Sequence, residues 1–277
     1  MSHAADLAAG ERFAFGDNWR DFLRRLDDHR IQVAQDSLRR DLDVIDLQGR
    51  TFLDIGCGSG LFSLAARRLG ATVHSFDYDP ASVACALELR RRYFPDDPRW
   101  TVAEASALDE VYLRSLGTFD VVYSWGVLHH TGDMWTALSH AALPVAADGC
   151  LFIAIYNECG RESARWRRIK KRYNSLPQWL RPAHAALAMA PYEAKDLVRA
   201  LIRGRPGEYI RSWTKYDSRR GMSRWHDIKD WVGGYPYEVA SVPALLAFYQ
   251  ERGFRPQMVR EAGGLGCHEL VLRRGAR

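Results

Sequence analysis

Three glycines alternate with small residues directly after a short apolar run that contains an acid. The acid is Asp54, the run ends at Ile55, and the glycines are Gly56, Gly58 and Gly60. Glycine lets a backbone turn tightly and lets a ligand approach with no Cβ in the way. A turn of this kind between a strand and a helix holds a nucleotide-type cofactor in doubly wound α/β folds.

The acid separates two classes of cofactor. Dinucleotide-binding folds use similar glycine spacing, so the glycines alone do not identify the ligand. A carboxylate at Asp54 would repel a pyrophosphate, but it suits the ammonium of an amino-acid-like ligand. S-adenosylmethionine (SAM) carries such an ammonium and no phosphate. The turn therefore favours SAM and opposes an NAD-dependent oxidoreductase.

A second acid stands at the end of the next predicted strand. Asp77 follows Gly60 by 17 residues and ends the run 71–77. An acid at this place commonly accepts hydrogen bonds from both ribose hydroxyls of a cofactor. Asp79 and Pro80 are typical of the N-cap and first residue of the following helix. The alternative for Asp77 is a turn acid, but two anchors at this spacing indicate SAM more strongly than either alone.

The chain resembles the class I SAM-dependent methyltransferases at residues 54–60, at Asp77 and at residues 119–130. Within that superfamily it is similar to the branch that holds the ubiquinone-type and sugar O-methyltransferases. The resemblance covers residues 48–157 well and residues 242–273 more loosely. It implies an α/β, Rossmann-like, doubly wound fold with a mostly parallel seven-stranded sheet, an antiparallel last strand and a helical cap insertion.

The glycine turn and the resemblance together give a set of cofactor-binding residues at the ends of the predicted strands. The set is Asp54, Gly56, Cys57, Gly58, Gly60, Asp77, Tyr78, Ala105, Ser106 and Trp125. Ala105 and Ser106 stand where relatives wrap the adenine, and Trp125 borders the methionine part of the cofactor. Cys57 is expected to contribute only its small size.

Two adjacent histidines, His129 and His130, follow the predicted strand 119–124. Methyl transfer from a sulfonium is an in-line displacement, so the protein must align the acceptor and, for a hydroxyl, remove its proton. An imidazole with an ordinary pKa of about 6.5 can act as that base at neutral pH. Some sugar O-methyltransferases of similar sequence use a histidine here. Adjacent side chains usually point in different directions, so at most one of the two is expected to face the acceptor. We favour His129; the alternative is that one of the pair packs against the loop.

Four further residues are candidate acceptor contacts: Tyr156, Asn157, Trp225 and His226. Tyr156 and Asn157 end a predicted strand, where a phenol and an amide could orient an acceptor or form a hinge. His226 with Asp227 could form a second catalytic pair or could simply begin a helix. The sequence shows no acidic cluster of the kind that chelates magnesium beside a catechol, so no metal is predicted.

These residues need a scaffold that brings strand ends together. Residues 50–157 alternate strand-like and helical stretches, as a parallel sheet with crossovers requires. The predicted strands are 51–55, 72–76, 100–103, 119–124, 150–156, 255–261 and 267–273, with a helix over 242–252. The expected organisation is N-terminal helices over 1–47, a SAM-binding core over 48–157, a cap over 158–240 and the rest of the core over 241–277.

Positive charge is concentrated in the cap. From Arg161 to Arg224 the chain has 17 lysine or arginine residues against 5 aspartate or glutamate residues, a net charge of +12, while the whole chain carries +5. The segment is also rich in tryptophan and tyrosine. It follows the fifth strand and so leaves the sheet at the carboxyl ends, where ligands bind. We therefore predict that the cap selects the acceptor and excludes water.

The charge of the cap has four interpretations. It could hold an anionic or lipid-linked acceptor, or track RNA through phosphate contacts and base stacking. The apolar run 184–190, flanked by basic stretches, could lie on a membrane surface, or the charges could form a solvated helix face. An anionic or lipid-linked acceptor is favoured, and RNA is less favoured because no appended RNA-binding module is recognised.

The composition is that of a globular protein, with 277 residues, 47% hydrophobic and 26% charged. No apolar run reaches the roughly 18 to 20 residues that span a bilayer, and Met1 to Gly10 lacks a signal-peptide pattern. We expect a cytoplasmic protein with reduced cysteines, with peripheral contact at the inner membrane face as an option. The predicted activity is O-methylation of a hydroxyl on a small or lipid-linked acceptor. The alternatives are an RNA or protein methyltransferase and a SAM-binding protein without catalysis; the oligomeric state is left open.

Overall fold

A computed structural model describes residues 3–16, 19, 23, 26–214 and 224–275 of the chain. Within these residues seven strands form one sheet. In chain order the strands are β1 (Thr51–Ile55), β2 (Thr72–Asp77), β3 (Trp100–Glu104), β4 (Phe119–Trp125), β5 (Val145–Tyr156), β6 (Phe254–Arg260) and β7 (Cys267–Arg274).

The strand order across the sheet is β3-β2-β1-β4-β5-β7-β6. The first five strands pair in parallel, and β7 runs antiparallel to both of its neighbours. The order reverses between β1 and β4, and doubly wound sheets bind their ligands in the crevice that opens at such a switch point. The predicted Rossmann-like sheet with its antiparallel last strand is confirmed.

Helices cover both faces of the sheet. In chain order they are α1 (His3–Ala8), α2 (Asp28–Leu42), α3 (Leu61–Arg68), α4 (Pro80–Tyr93), α5 (Glu110–Ser115), α6 (Met134–Ala141), α7 (Arg161–Ser175), α8 (Arg181–Ile202), α9 (Pro206–Thr214), α10 (Arg224–Gly233) and α11 (Val242–Gln250). Side chains alternate along a strand, so Phe52 joins the layer that contains Leu38 and its neighbour Leu53 joins the layer that contains Leu138.

The start of α4 follows the sequence signal. The Asp79 side chain caps the helix by accepting a hydrogen bond from the Ala81 amide, and Pro80 occupies the first turn. Proline fits there because its missing N–H would have no partner inside the helix. This cap fixes the chain directly after Asp77, and the predicted N-cap is confirmed.

Strand β5 begins at Val145, five residues before the predicted start at position 150. The pairing with β4 shifts between Phe119 and Val121, whose partners are Val145 and Cys150. Asp148 has a φ of 61°, a left-handed conformation that bends the chain within the strand. The apolar alternation that identifies a strand is lost across this irregularity, which is why the sequence indicated only the later part.

The cap has its own small core. Helices α7, α8 and α10 surround a buried cluster that includes Trp166, Tyr173, Ile228 and Val232. The chain then returns to the sheet through a bridge between Asn157 and Ala240. Across the described residues, no helix combines the length and the apolar composition that crossing a bilayer requires.

Candidate active site

The glycine turn after β1 is too tightly packed for side chains. Gly56, Gly58 and Gly60 all have positive φ, at 72°, 53° and 81°. A Cβ on Gly56 would lie 2.3 Å from a methyl carbon of Val127, and one on Gly60 would lie 2.9 Å from the Ala86 backbone. The turn is therefore a cradle of bare backbone at the mouth of the crevice, as the spacing predicted.

Asp77 joins the end of β2 to this turn. One carboxylate oxygen accepts a hydrogen bond from the Gly58 amide at 2.9 Å, and the other accepts from the Asp79 amide at 2.9 Å. Burial raises the pKa of Asp77 to about 6. Each oxygen keeps a further lone pair, so the carboxylate can still accept from a diol in the crevice.

Asp54 is oriented by a chain of buried hydrogen bonds. The indole of Trp100 donates to Ser75 at 3.0 Å, Ser75 donates to Ser63 at 2.7 Å, and Ser63 donates to Asp54. Burial raises the pKa of Asp54 to about 7, and the Ser63 hydrogen bond opposes that rise. The sequence identified Asp54 but missed its three supports, which come from α3, β2 and β3. The signal that the sequence offered for these supports was a serine at a buried position of a helix, Ser63, and another at a buried position of a strand, Ser75.

The other predicted cofactor residues lie around the same edge. The Ala105 amide donates to the Asp77 carbonyl at 3.0 Å, the Ser106 hydroxyl accepts from the Leu108 amide at 3.1 Å, and the Trp125 indole donates to Glu269 at 3.0 Å. Cys57 is buried, and burial raises the pKa of its thiol well above the usual value. Cys57 is therefore protonated at neutral pH and unsuited to act as a nucleophile.

The two histidines lie on a single 3₁₀ turn over Leu128–His130 but have different surroundings. His129 is fully buried, and its ring centroid is 4.1 Å from that of Tyr156. The Nδ1 atom of His130 is 2.6 Å from the Pro236 carbonyl oxygen, so this ring is engaged by the loop that closes the cap. The structure thus brings together His129 and Tyr156, two of the residues that the sequence singled out.

The remaining candidate acceptor residues are placed less favourably. The Asn157 amide donates to the Gly264 carbonyl at 2.9 Å, and its oxygen lies 2.9 Å from a ring nitrogen of His268. This arrangement ties Asn157 to the β6–β7 connection and supports the hinge reading. Trp225 is partly buried against the cap cluster. His226 lies on α10, and its side chain is outside the described part of the chain.

An N-terminal strap, residues 3–16, runs over the crevice, whereas the sequence predicted only N-terminal helices over residues 1–47. Arg12 donates to the His130 carbonyl at 2.9 Å, and its guanidinium lies 4.9 Å from the centroid of the Tyr78 ring. The Gly16 amide donates to the Asp79 side chain at 2.8 Å. The strap therefore connects the cofactor side of the crevice to the histidines.

The cap contains a buried lysine, Lys170. In the sequence it was only one of the 17 basic residues between Arg161 and Arg224. Lys170 is fully buried, and its Nζ lies 4.0 Å from the centroid of the Trp231 ring and 4.9 Å from that of Tyr237. The ammonium also donates to the Trp231 carbonyl. Burial lowers the pKa of Lys170 to about 7. Tyr156 is shared between this aromatic cluster and His129.

Among the residues that the structure describes, no group of three or more histidine, cysteine or acidic side chains is placed to hold a metal ion. The crevice contains a backbone cradle, two carboxyl groups, a buried imidazole and an aromatic wall. Together they suit binding of an uncharged or cationic nucleoside and removal of a proton from a nearby acceptor.

Comparison with known proteins gives matches to the core of the chain. Residues 53–151 match the methyltransferase-domain family. A ubiquinone biosynthesis O-methyltransferase of Brucella ovis is 35% identical over 113 residues, which cover 40% of this chain and 43% of that protein. The match thus spans less than half of that relative's length.

Solved structures show the fold over most of the chain. Magnesium protoporphyrin IX methyltransferase from Synechocystis PCC 6803 with bound S-adenosylhomocysteine (SAH) aligns with a TM-score of 0.51 at 15% identity, covering 89% of this chain and 84% of that chain. An O-methyltransferase family protein from Burkholderia thailandensis aligns with a TM-score of 0.52 at 16% identity, covering 90% and 58%.

Proposed function

Because residues 53–151 match the methyltransferase-domain family, we propose that this chain is a class I SAM-dependent methyltransferase that transfers a methyl group from SAM to a hydroxyl of a small or lipid-linked acceptor. The relatives named as ubiquinone biosynthesis O-methyltransferases support oxygen as the atom methylated.

The described residues of the crevice fit SAM. The three glycines of the turn carry no side chains, and protein atoms already fill the positions that their Cβ atoms would take, so the turn offers a nucleoside a closely packed surface of bare backbone. Asp77 has the free lone pairs that a ribose diol needs. Asp54 is a buried carboxyl whose raised pKa would fall beside the ammonium of the cofactor's amino-acid part.

The observation that carries the proposal is the contact between the cofactor turn and the histidine segment. The methyl groups of Val127 occupy the space where Gly56 would have a side chain. Val127 lies two residues before His129, so the segment that carries the buried imidazole starts against the cofactor turn. A base is required at this place if the acceptor is a hydroxyl.

When bound, SAM supplies an electrophilic methyl group on a sulfonium that is itself a good leaving group. The chain must then align the acceptor oxygen, exclude water and take up its proton. We assign the proton to the His129 imidazole. Tyr156, whose ring lies against His129, would fix the orientation of the imidazole and form one wall of the acceptor site.

The aromatic wall supports an acceptor with a flat or apolar body. Tyr156 also contacts Trp231 and Tyr237, with ring centroids 5.7 Å and 5.2 Å away. Stacked and edge-to-face aromatic contacts stabilise a phenol or quinol ring, each by about 0.5–1.5 kcal/mol. A phenolic or quinol hydroxyl, carried by a small molecule or a lipid, is therefore the acceptor class that we propose.

Turnover of a phenol and quinol panel tests this function. His129→Ala should lower kcat by about a hundredfold or more, because proton removal is lost from the transition state. The dissociation constant for SAH should stay close to that of the unchanged protein. His140→Ala provides a matched control, since His140 lies on α6 and contacts the Ala107 carbonyl. Near-normal turnover by His129→Ala would remove this imidazole from the mechanism, and methylation of RNA or protein alone would overturn the acceptor class.

A further inference from the structure

Helix α8 presents an apolar face to solvent. Each exposed residue from position 182 to position 194 is alanine, leucine or proline. Towards the end of the helix the exposed face continues with Leu197, Val198, Leu201 and Ile202. Leu187 is 75% exposed and Ile202 is 81% exposed. Contiguous exposed apolar surface of this kind marks an interaction site, unlike the single apolar residues scattered over most surfaces.

The opposite face of α8 already has its packing partners within the cap. Ala185 is fully buried there, and the Tyr192 ring lies 5.7 Å from Trp166 of α7. The His184 ring lies 6.2 Å from Tyr173 of the same helix. The exposed apolar face is therefore a second face of the helix, additional to the one that the fold uses.

The cap helices also carry exposed basic residues. The exposed residues of α7 include Arg165, Arg168, Lys171 and Arg172, and the end of α8 adds Arg199 and Arg203. Glu162 of α7 accepts a hydrogen bond from the Tyr192 hydroxyl, and other acidic residues of the cap are engaged in ion pairs. Glu193 and Asp196 pair with Arg224, and Glu208 of α9 pairs with Arg205.

Exposed aromatic and aliphatic side chains also lie on the segments directly before and after α8. Trp179, just before α8, is 77% exposed, and Ile210 of α9 is 62% exposed. Tryptophan is favoured where an apolar layer meets water, because its ring is apolar and its N–H is polar. The helix is about 33 Å long at 1.5 Å per residue, which gives a long, one-sided contact.

We propose that the outward face of α8 docks this protein on the surface of an anionic lipid bilayer. The apolar stripe would enter the boundary between headgroups and acyl chains, while the arginines and lysines around it would contact anionic headgroups. The net charge of +12 between Arg161 and Arg224 matches such a surface. A second copy of the chain fits less well, because it would bring the same basic residues against each other.

Docking would place the cap, and with it the wall formed by Tyr156, Trp231 and Tyr237, close to the bilayer. A lipid-linked acceptor could then reach the site from the membrane. This consequence rests on the proposed function, but the docking itself does not depend on methyl transfer and can be measured without any acceptor.

Vesicle flotation of the full chain tests the proposal. Phosphatidylcholine vesicles with and without phosphatidylglycerol are compared, at low and at high salt. The double variant Leu187→Glu/Ile202→Glu places two carboxylates on the stripe without touching the buried face of α8. Ile45→Glu is the matched control, because Ile45 is 88% exposed and lies outside the cap. SAH binding is measured in parallel as a check on the fold and on the cofactor site.

The unchanged protein and Ile45→Glu should float with the anionic vesicles, and high salt should weaken the binding. The double variant should bind about tenfold more weakly or worse, with SAH binding unchanged. Equal flotation of the double variant, or no flotation of the unchanged protein, would overturn the proposal. So would a dimer in sedimentation that the double variant dissociates, or salt-sensitive RNA binding in the absence of vesicle binding. Loss of SAH binding throughout would instead count against the proposed function.

Discussion

Asp54 and Asp77 are two carboxyl groups held at one edge of the sheet, and burial raises both pKa values. Asp54 has a pKa of about 7 and Asp77 a pKa of about 6 in the ligand-free protein. A ligand that carries an ammonium favours the ionised form of a neighbouring carboxyl. We therefore expect binding of SAM or SAH beside these carboxyl groups to release protons.

The affinity for SAH should accordingly fall as the pH is lowered below about 7. Each proton that binding must displace costs up to about tenfold in affinity per pH unit. Well above pH 7 both carboxyl groups are already ionised, so no proton has to leave when SAH binds. Below pH 7 they are increasingly protonated, and binding must displace those protons. Calorimetric titrations at about pH 8, 7 and 6, in buffers of different ionisation enthalpy, measure the affinity and the proton release. An affinity that is the same at all three values would contradict the role given to these carboxyls.

At the scale of elements, α7 and α10 meet around Lys170. Its ammonium lies among Trp231, Tyr237, Trp166 and Tyr156, and Asp230 raises its pKa slightly against the larger effect of burial. The folded-state pKa of about 7 lies below the value of 10.5 for a free lysine. The unfolded chain therefore binds more protons than the folded chain between these two values.

The free energy of unfolding should rise with pH over that window, relative to a variant that cannot titrate at this position. The rise is up to about 1.4 kcal/mol per pH unit between pH 7 and pH 10. Lys170→Met keeps the length of the side chain and removes the charge. Urea denaturation of both proteins at several pH values measures the difference in unfolding free energy, and Lys171→Met on the exposed side of α7 is the control. A constant difference across this range would show that Lys170 does not titrate there.

Much of the core could be predicted because its signals are local. The glycine turn, Asp54 and Asp77 sit at fixed distances along one strand–turn–helix–strand unit, and their backbone requirements are visible in the sequence. The supports of these residues could not be predicted in the same way. Trp100 reaches Asp54 only through two serines from other elements, and Lys170 is buried only because the cap folds around it.

At the scale of the whole molecule, the N-terminal strap connects distant parts of the chain. Arg12 reaches the His130 carbonyl across 118 residues of sequence, and the Phe13 amide donates to the Tyr235 carbonyl at 2.9 Å. A contact of this separation leaves no periodic signal in the sequence. The strap therefore contacts the cofactor crevice, the histidine segment and the loop that closes the cap.

Removal of the Arg12 guanidinium should therefore weaken cofactor binding without unfolding the core. Arg12→Gln should raise the dissociation constant for SAH about fivefold to tenfold, because a charged hydrogen bond contributes about 1.5–3 kcal/mol and part of that stabilises the closed strap. Arg30→Gln, which removes an exposed pair with Asp27, should leave the constant unchanged. Calorimetry on both variants measures the effect. An equal, small change in the two would show that the strap does not contribute to the cofactor site.

We propose that the crevice between β1 and β4 binds SAM through Asp77, and calorimetric titration with SAH decides whether it does. The unchanged protein should bind one SAH, and Asp77→Ala should bind about a hundredfold more weakly, as the loss of two charge-assisted hydrogen bonds implies. Asp36→Ala, an exposed aspartate on α2, should bind as the unchanged protein does. Equal affinity of Asp77→Ala, or binding of NAD in place of SAH, would contradict the account.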